Sequence, residues 1–252
     1  MNLHLANKNV LIVGGSKGIG LEIAKRFSEE KANVAIVGRN LDALKKAKDD
    51  LRISTIYQTD ITDSHERSGL ISKYILDYGK IDILINCAGG SNGGPILETP
   101  LAQFYEAFEL NYFSVVDLSQ QVIKHMKKQS YGVIINIASI YGRESGGKPT
   151  YNNAKAALIS FTKALADEVI QDGIRVNSVA PGSILHETSV WKTLSQQDKN
   201  LTNQFIQENI PAKRFGTPQE IADVVAFIAS EKAAWIVGST VNVDGGQSKM
   251  NF

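Results

Sequence analysis

A run of β-prone apolar residues, Val10-Leu11-Ile12-Val13, enters a glycine-dense turn, Gly14-Gly15-Ser16-Lys17-Gly18-Ile19-Gly20. Beyond it Leu21, Ile23, Ala24 and Phe27 recur at helical spacing. The reading is strand, tight turn, helix. A buried strand that feeds a helix N-terminus leaves backbone N–H groups aligned with the positive end of the helix dipole, and a phosphate satisfies both. Glycine allows a diphosphate to reach that backbone. The spacing Gly14-x3-Gly18-x-Gly20 departs from the commoner G-x-G-x-x-G fingerprint, so the motif alone also fits an ordinary glycine-rich turn.

The same alternation runs through the rest of the chain. Strands are expected at Asn33–Gly38, Ser54–Gln58, Ile81–Ile85, Gly132–Ile137, Ile174–Val179 and Thr240–Val243. Apolar stripes predict helices near 41–51, Ser64–Tyr78, Leu101–Lys127, Thr150–Ile170 and Pro218–Ala229. Near-continuous β-branched strands alternating with helices are the pattern of a parallel sheet covered on both faces. The expected fold is α/β: a single domain over residues 1–252, built as a Rossmann-type, doubly wound, seven-stranded parallel sheet flanked by helices. Two longer segments, Gly89–Gly94 and Ser183–Asn209, leave C-terminal strand ends, where ligands sit in such sheets. The second, about 183–209, mixes Val190, Trp191, Leu194, Phe205 and Ile206 with polar residues and reads as a substrate lid.

Charge narrows the function. Lys plus Arg number 27 and Asp plus Glu 26, so no global field exists to attract nucleic acid or an anionic membrane. Cys87 is the single cysteine and the four histidines show no H-x-x-x-H pairing, so no metal site is expected. No apolar run approaches the ~18 residues that span a bilayer, and the N-terminus has no apolar leader, so a soluble, cytoplasmic protein is expected. The expected partner is a small molecule or another copy of the chain.

Tyr151 and Lys155 stand four residues apart on a predicted helix and therefore share a face. A phenol of ordinary pKa ~10 is a poor proton shuttle at neutral pH, and a neighbouring ammonium favours its ionised form. On this reading Tyr151 acts as general acid in reduction and general base in oxidation. Ser139 closes a predicted strand, and the eleven residues between it and Tyr151 are enough for its hydroxyl to reach the same substrate oxygen. Taken alone, the pair also suits an amphipathic surface helix, and Ser139 a strand-ending hydroxyl.

Together, Gly14–Gly20, Asn86-Cys87-Ala88-Gly89, and Ser139 with Tyr151-Asn-Asn-Ala-Lys155 resemble the short-chain dehydrogenase/reductase family. Asn111, Pro181-Gly182 and Val243-Asp-Gly-Gly246 fall where that family carries equivalents, and the resemblance covers essentially the whole chain. It implies an oxidoreductase that interconverts a ketone and a secondary alcohol by hydride transfer with a nicotinamide dinucleotide. Ser139, Tyr151, Lys155 and Asn111 are its implied catalytic residues, Asn111 by holding a water that relays protons past Lys155. The implied cofactor contacts are Gly14, Ser16, Lys17, Gly18, Ile19 and Gly20 in the turn and Gly38, Arg39 and Asn40 after the second strand. Asp60 and Ile61 would lie at the adenine, Asn86, Ala88 and Gly89 after the fourth strand, and Pro181, Gly182 and Ile184 beneath the nicotinamide beside Tyr151 and Lys155. Asp60 also fits a helix cap, Asn86 a turn-forming or strand-tying asparagine, and Asn111 a residue kinking a long helix.

Cofactor choice is set at the end of the second strand, where an acidic residue would indicate NAD. Gly38-Arg39-Asn40 stands there instead. Glycine leaves room for a 2′-phosphate, Arg39 offers charge-assisted hydrogen bonds, and Lys17 adds a second cation, so NADP(H) is expected. Solvated surface cations are the plainer alternative.

The chain departs from the family at three places. Val13 stands where threonine is usual, His186 stands where a threonine follows Pro-Gly-x-Ile-x, and the Ser139-to-Tyr151 separation is one residue short. Ser183 or Thr188 is the substitute considered for the missing threonine, and Ser145 the alternative to Ser139. A general ketone/alcohol oxidoreductase is preferred over a 3-oxoacyl-(acyl-carrier-protein) reductase, because Ser130 and Asp172 replace the basic residues that dock the carrier, although Lys124, Lys127 and Lys128 remain nearby. A non-catalytic NADP(H)-binding sensor is the rival from another class. Ala154, Ala156, Ala157, Phe161 and Ala164 give the Tyr/Lys helix more apolar surface than one buried face needs, and the family implies a homotetramer.

Overall fold

The glycine turn follows a strand and starts a helix in the computed structural model, which describes residues 1–53 and 55–251. Ser54, expected to open the third strand, lies outside the described residues. Seven parallel strands form one sheet: β1 Asn9–Val13, β2 Asn33–Gly38, β3 Thr55–Gln58, β4 Ile83–Asn86, β5 Gly132–Ile137, β6 Ile174–Pro181 and β7 Thr240–Val243. Their order is β3-β2-β1-β4-β5-β6-β7. The order reverses between β1 and β4, which opens a crevice at the C-terminal ends of those two strands.

Alternate residues of each central strand belong to cores on opposite sides of the sheet. Val10, Ile12, Val34, Ile36, Ile83 and Ile85 pack with α1 (Gly18–Glu29) and α9 (Pro218–Ala229). Leu11, Val13, Ala35, Val37 and Leu84 pack with α3 (Ser64–Tyr78), α5 (Ser114–Lys128) and α6 (Pro149–Val169). This period of two, apolar on both faces, makes the strands read as unbroken hydrophobic runs. The strand start expected at Ile81 moves to Ile83, although the Asp82 N–H still donates to the Asn9 carbonyl at 3.0 Å.

The single helix expected over 101–127 is corrected to two, α4 (Leu101–Phe108) and α5, joined by a π-turn at Glu109–Phe113. Asn111 gives the physical reason. Its Nδ2 donates to the Ala107 carbonyl at 2.8 Å, taking the acceptor that an α-helical N–H at position 111 would use, and the ladder widens by one residue. The 183–209 segment is a pair of helices, α7 (Val190–Gln197) and α8 (Lys199–Asn209). Trp191, Phe205 and Phe215 tie the pair down, with ring centroids 4.3 Å apart for Trp191–Phe205 and 5.1 Å for Trp191–Phe215. The remaining helix, α2, runs Leu41–Leu51. None of the described helices is long and apolar enough to cross a membrane.

Candidate active site

The glycine turn is shaped first by its own protein. Gly14 has φ +85°, and a Cβ there would stand 2.7 Å from the Ala88 nitrogen; one on Gly20 would stand 2.1 Å from the Gly14 carbonyl oxygen. These glycines let the segment after β4 and the start of α1 close on the turn. The hydroxyl missing at Val13 is offset by backbone bonds. Gly14 and Gly15 donate to the Val37 carbonyl at 2.9 and 3.2 Å, and Cys87 donates to the Val13 carbonyl at 2.9 Å. No side chain caps α1 at Lys17 and its first turn holds no acidic residue, so the helix start with Ser16, Lys17, Gly18 and Ile19 around it suits a bound phosphate.

At the end of β2, a Cβ on Gly38 would lie 3.1 Å from the Ser16 hydroxyl, so glycine admits Ser16 as well as any ligand group. Arg39 is 69% exposed and reaches Asp60 at 3.9 Å, loosely enough for its guanidinium to serve an anion. Asn40 caps α2, its Oδ1 accepting from Ala43 N–H at 2.8 Å, which accounts for its side chain within the protein. Asp60 is not the cap of α3; Asp63 is, accepting from His65 and Glu66 N–H. The Asp60 carboxylate accepts from the Thr62 N–H and hydroxyl at 3.0 and 2.8 Å, and these bonds and Arg39 hold its pKa below the usual carboxylate value. An open groove of about 810 Å³ along the β3 edge is lined by Arg39, Asp60 and Lys73. Ile61 is buried beside it.

Past β4, Asn86 is turned into the sheet. Its Nδ2 donates to Asn136 Oδ1 at 2.9 Å across β4 and β5, and Asn136 donates to the Thr162 hydroxyl on α6 at 2.9 Å. This buried chain fixes α6 against the sheet. Pro181 ends β6, and Gly182 lies against Asp244, where a Cβ would stand 2.7 Å from the Asp244 Cβ. Ile184 is buried and bridges to Gly216.

Tyr151, Lys155 and Ser139 converge at the C-terminal end of β5. Lys155 is 3% exposed; its Nζ donates to the Ile137 carbonyl at 2.7 Å and lies 5.5 Å from the Tyr151 ring centroid. Burial brings the ammonium pKa down to about 8. The Tyr151 phenol is pushed up to about 12 by burial, while the adjacent Ser139 hydroxyl works in the opposite direction. The lowered phenol expected from the Tyr/Lys spacing is therefore corrected, because in the chain alone desolvation dominates. Ser139 is in place despite the short loop, its Oγ accepting from the Tyr141 N–H at 3.2 Å, whereas Ser145 is exposed.

The Asn111 side chain is bonded to the loop after β4 and to α4. Its Oδ1 accepts from Gly90 N–H at 3.1 Å, and its Nδ2 donates to Gly90 and Ala107 carbonyls at 2.9 and 2.8 Å. Gly89 lies between it and the ammonium: a Cβ there would stand 2.8 Å from Asn111 Oδ1 and 3.4 Å from Lys155 Nζ. Asn111 thus shapes the loop that walls the lysine. Two members of the site were not singled out from the sequence for their places here. Cys87 lies close enough to Tyr151 and Lys155 to interact with both, and burial pushes its thiol up to about 12, leaving it neutral. Arg67 of α3 is buried and donates to Asp117 and Glu109 at 2.6 and 2.7 Å and to the Ile61 carbonyl at 2.5 Å, linking the π-turn to the strand-end segment. An arginine breaking the apolar stripe of α3 was the available signal.

A family model described as enoyl-(acyl carrier protein) reductase matches residues 13–248. The chain is 38% identical to a 3-oxoacyl-(acyl-carrier-protein) reductase of Chlamydia muridarum over 98% of its length and 100% of the relative's. It is 36% identical to a 7alpha-hydroxysteroid dehydrogenase of Escherichia coli over 97% and 96% of the two chains. Among solved structures, L-sorbose reductase from Gluconobacter frateurii, complexed with NADPH and L-sorbose, superposes with a TM-score of 0.93 at 33% identity, covering 99% of this chain and all of that one.

Proposed function

The chain belongs to the short-chain dehydrogenase/reductase family, and on that premise we propose that it is an NADP(H)-dependent oxidoreductase in which Tyr151 exchanges a proton with the substrate oxygen. It acts on CH–OH and C=O groups. The observation that carries the proton role is the meeting of Tyr151, Lys155 and Ser139 at one strand end beside the crevice.

A bound nicotinamide supplies the hydride, or accepts it, at the substrate carbon. Tyr151 gives its phenolic proton to the carbonyl oxygen during reduction and takes it back during oxidation. Ser139 donates a hydrogen bond to the same oxygen as charge develops on it. Lys155, held against the Ile137 carbonyl, stabilises the phenolate that Tyr151 becomes. Asn111 fixes Gly90 and the wall of this pocket. Ser16, Lys17, Gly18 and Ile19 hold the diphosphate at the start of α1, and Arg39, with Gly38 leaving room, grips a 2′-phosphate. The α7–α8 pair closes over the substrate as a lid, and copies of the chain pair into a homotetramer.

A 3-oxoacyl-(acyl-carrier-protein) reductase is the second reading, favoured by the relative at 38% identity. Against it, Lys127 is paired with Asp172 at 2.8 Å and so is engaged within the chain, where a carrier's acidic surface would need free cations. The test follows NADPH and NADH oxidation with 3-oxoacyl thioesters, oxosteroids, ketoses and simple ketones. Turnover of one class with a preference for NADPH is expected. A preference for NADH rejects the cofactor choice, and a chain inert across the panel that still binds NADPH rejects catalysis in favour of a sensor.

A further inference from the structure

His186 stands against the glycine turn in a position that the proton chemistry above leaves unused. A Cβ placed on Gly18 would lie 2.9 Å from the imidazole Cε1, 3.0 Å from Nδ1 and 3.3 Å from Nε2, so the ring presents both nitrogens to the start of α1. Nδ1 meets the Thr188 hydroxyl at 3.2 Å, and no partner among the described residues takes Nε2. The charges around the ring are Lys17 from the turn and, in its own segment, Glu187, which Lys192 pairs at 3.0 Å; the first turn of α1 holds no carboxylate. Burial first and Lys17 second disfavour the imidazolium in the chain alone. Two basic groups therefore flank an uncapped helix N-terminus with no counter-charge between them.

We propose that His186 is a titratable ligand of the dinucleotide's diphosphate, its Nε2–H donating to a phosphate oxygen when the ring is protonated. The proposal rests on the dinucleotide reading of the turn. An anion between His186 and Lys17 favours the imidazolium, so binding takes up a proton. Affinity accordingly rises as the pH falls through the histidine's range and levels off once the free ring is already protonated.

ADP-ribose is the probe, because it carries the diphosphate without the nicotinamide or a titrating 2′-phosphate. Calorimetry at pH 6, 7 and 8, in buffers of two ionisation enthalpies, gives both affinity and proton uptake, with His186→Gln in parallel. The wild type is expected to bind up to about tenfold tighter at pH 6 than at pH 8 and to take up protons. The glutamine variant is expected to lose both effects. A wild type that takes up no proton overturns the proposal without reference to any variant, as does a variant that keeps the wild-type profile or binds tighter at every pH. Absence of ADP-ribose binding by the wild type overturns this proposal together with the dinucleotide reading.

Discussion

Tyr151 and Lys155 share one desolvated site with opposed consequences: burial raises the phenol to about 12 and lowers the ammonium to about 8. The charged lysine is the form that stabilises phenolate, so kcat/KM for NADPH, which reports the free enzyme, is expected to fall as pH rises through about 8. Lys155→Met should be slow and lose that limb; a wild-type profile flat to pH 10 contradicts the assignment. Arg39→Ala should weaken NADPH by about 10–100-fold, the loss of one or two charge-assisted hydrogen bonds, with NADH little changed, as read by direct binding. The residue types were legible in the sequence because spacing exposes them. The reasons were less so: Gly14 and Gly20 answer to Ala88 and to each other, and Asn40 to a helix start.

The π-turn is the element whose departure from regularity places Asn111. Periodicity reads 101–127 as one helix because a π-turn shifts the apolar stripe by a single residue, and the Asn111 bond to Ala107 that causes it depends on where a side chain turns. Arg67 braces the turn through Glu109 and Asp117, and Arg67→Met should cost roughly 1.5–3 kcal/mol in urea unfolding, the range for hydrogen bonds to charged groups. At the start of α9, Thr217 and Glu220 form a capping box, with Arg214 paired to Glu220. Thr217→Ala should lose about 1 kcal/mol. The Arg214 hydrogen bond, with the Thr217 N–H, holds the Glu220 carboxyl down to about 2. Its contribution is present above its ordinary value of 4.5 and lost as pH falls toward about 2. Melting wild type and Glu220→Gln across that interval should show their difference closing; a constant difference rejects the ion pair as its source.

Across the whole molecule, one parallel sheet with a reversal between β1 and β4 brings the glycine turn and the end of β4 together, with the Tyr/Lys helix pinned to β5 next to them. The alternation of β-branched runs with helical stripes carried that architecture in the sequence, since both faces of every central strand are buried. Leu101 and Tyr105 are each 65% exposed and Phe113 47%, an apolar face along α4 and the π-turn that a second copy would cover. Light scattering should give four times the 27.5 kDa of one chain, and a monomer rejects the tetramer. The most direct test of the central claim compares NADPH oxidation and NADPH affinity in wild type and Tyr151→Phe, using whichever carbonyl substrate the wild type turns over. The account predicts a rate lower by at least about 100-fold with affinity unchanged within about threefold. Turnover by the phenylalanine variant at a wild-type rate would contradict it.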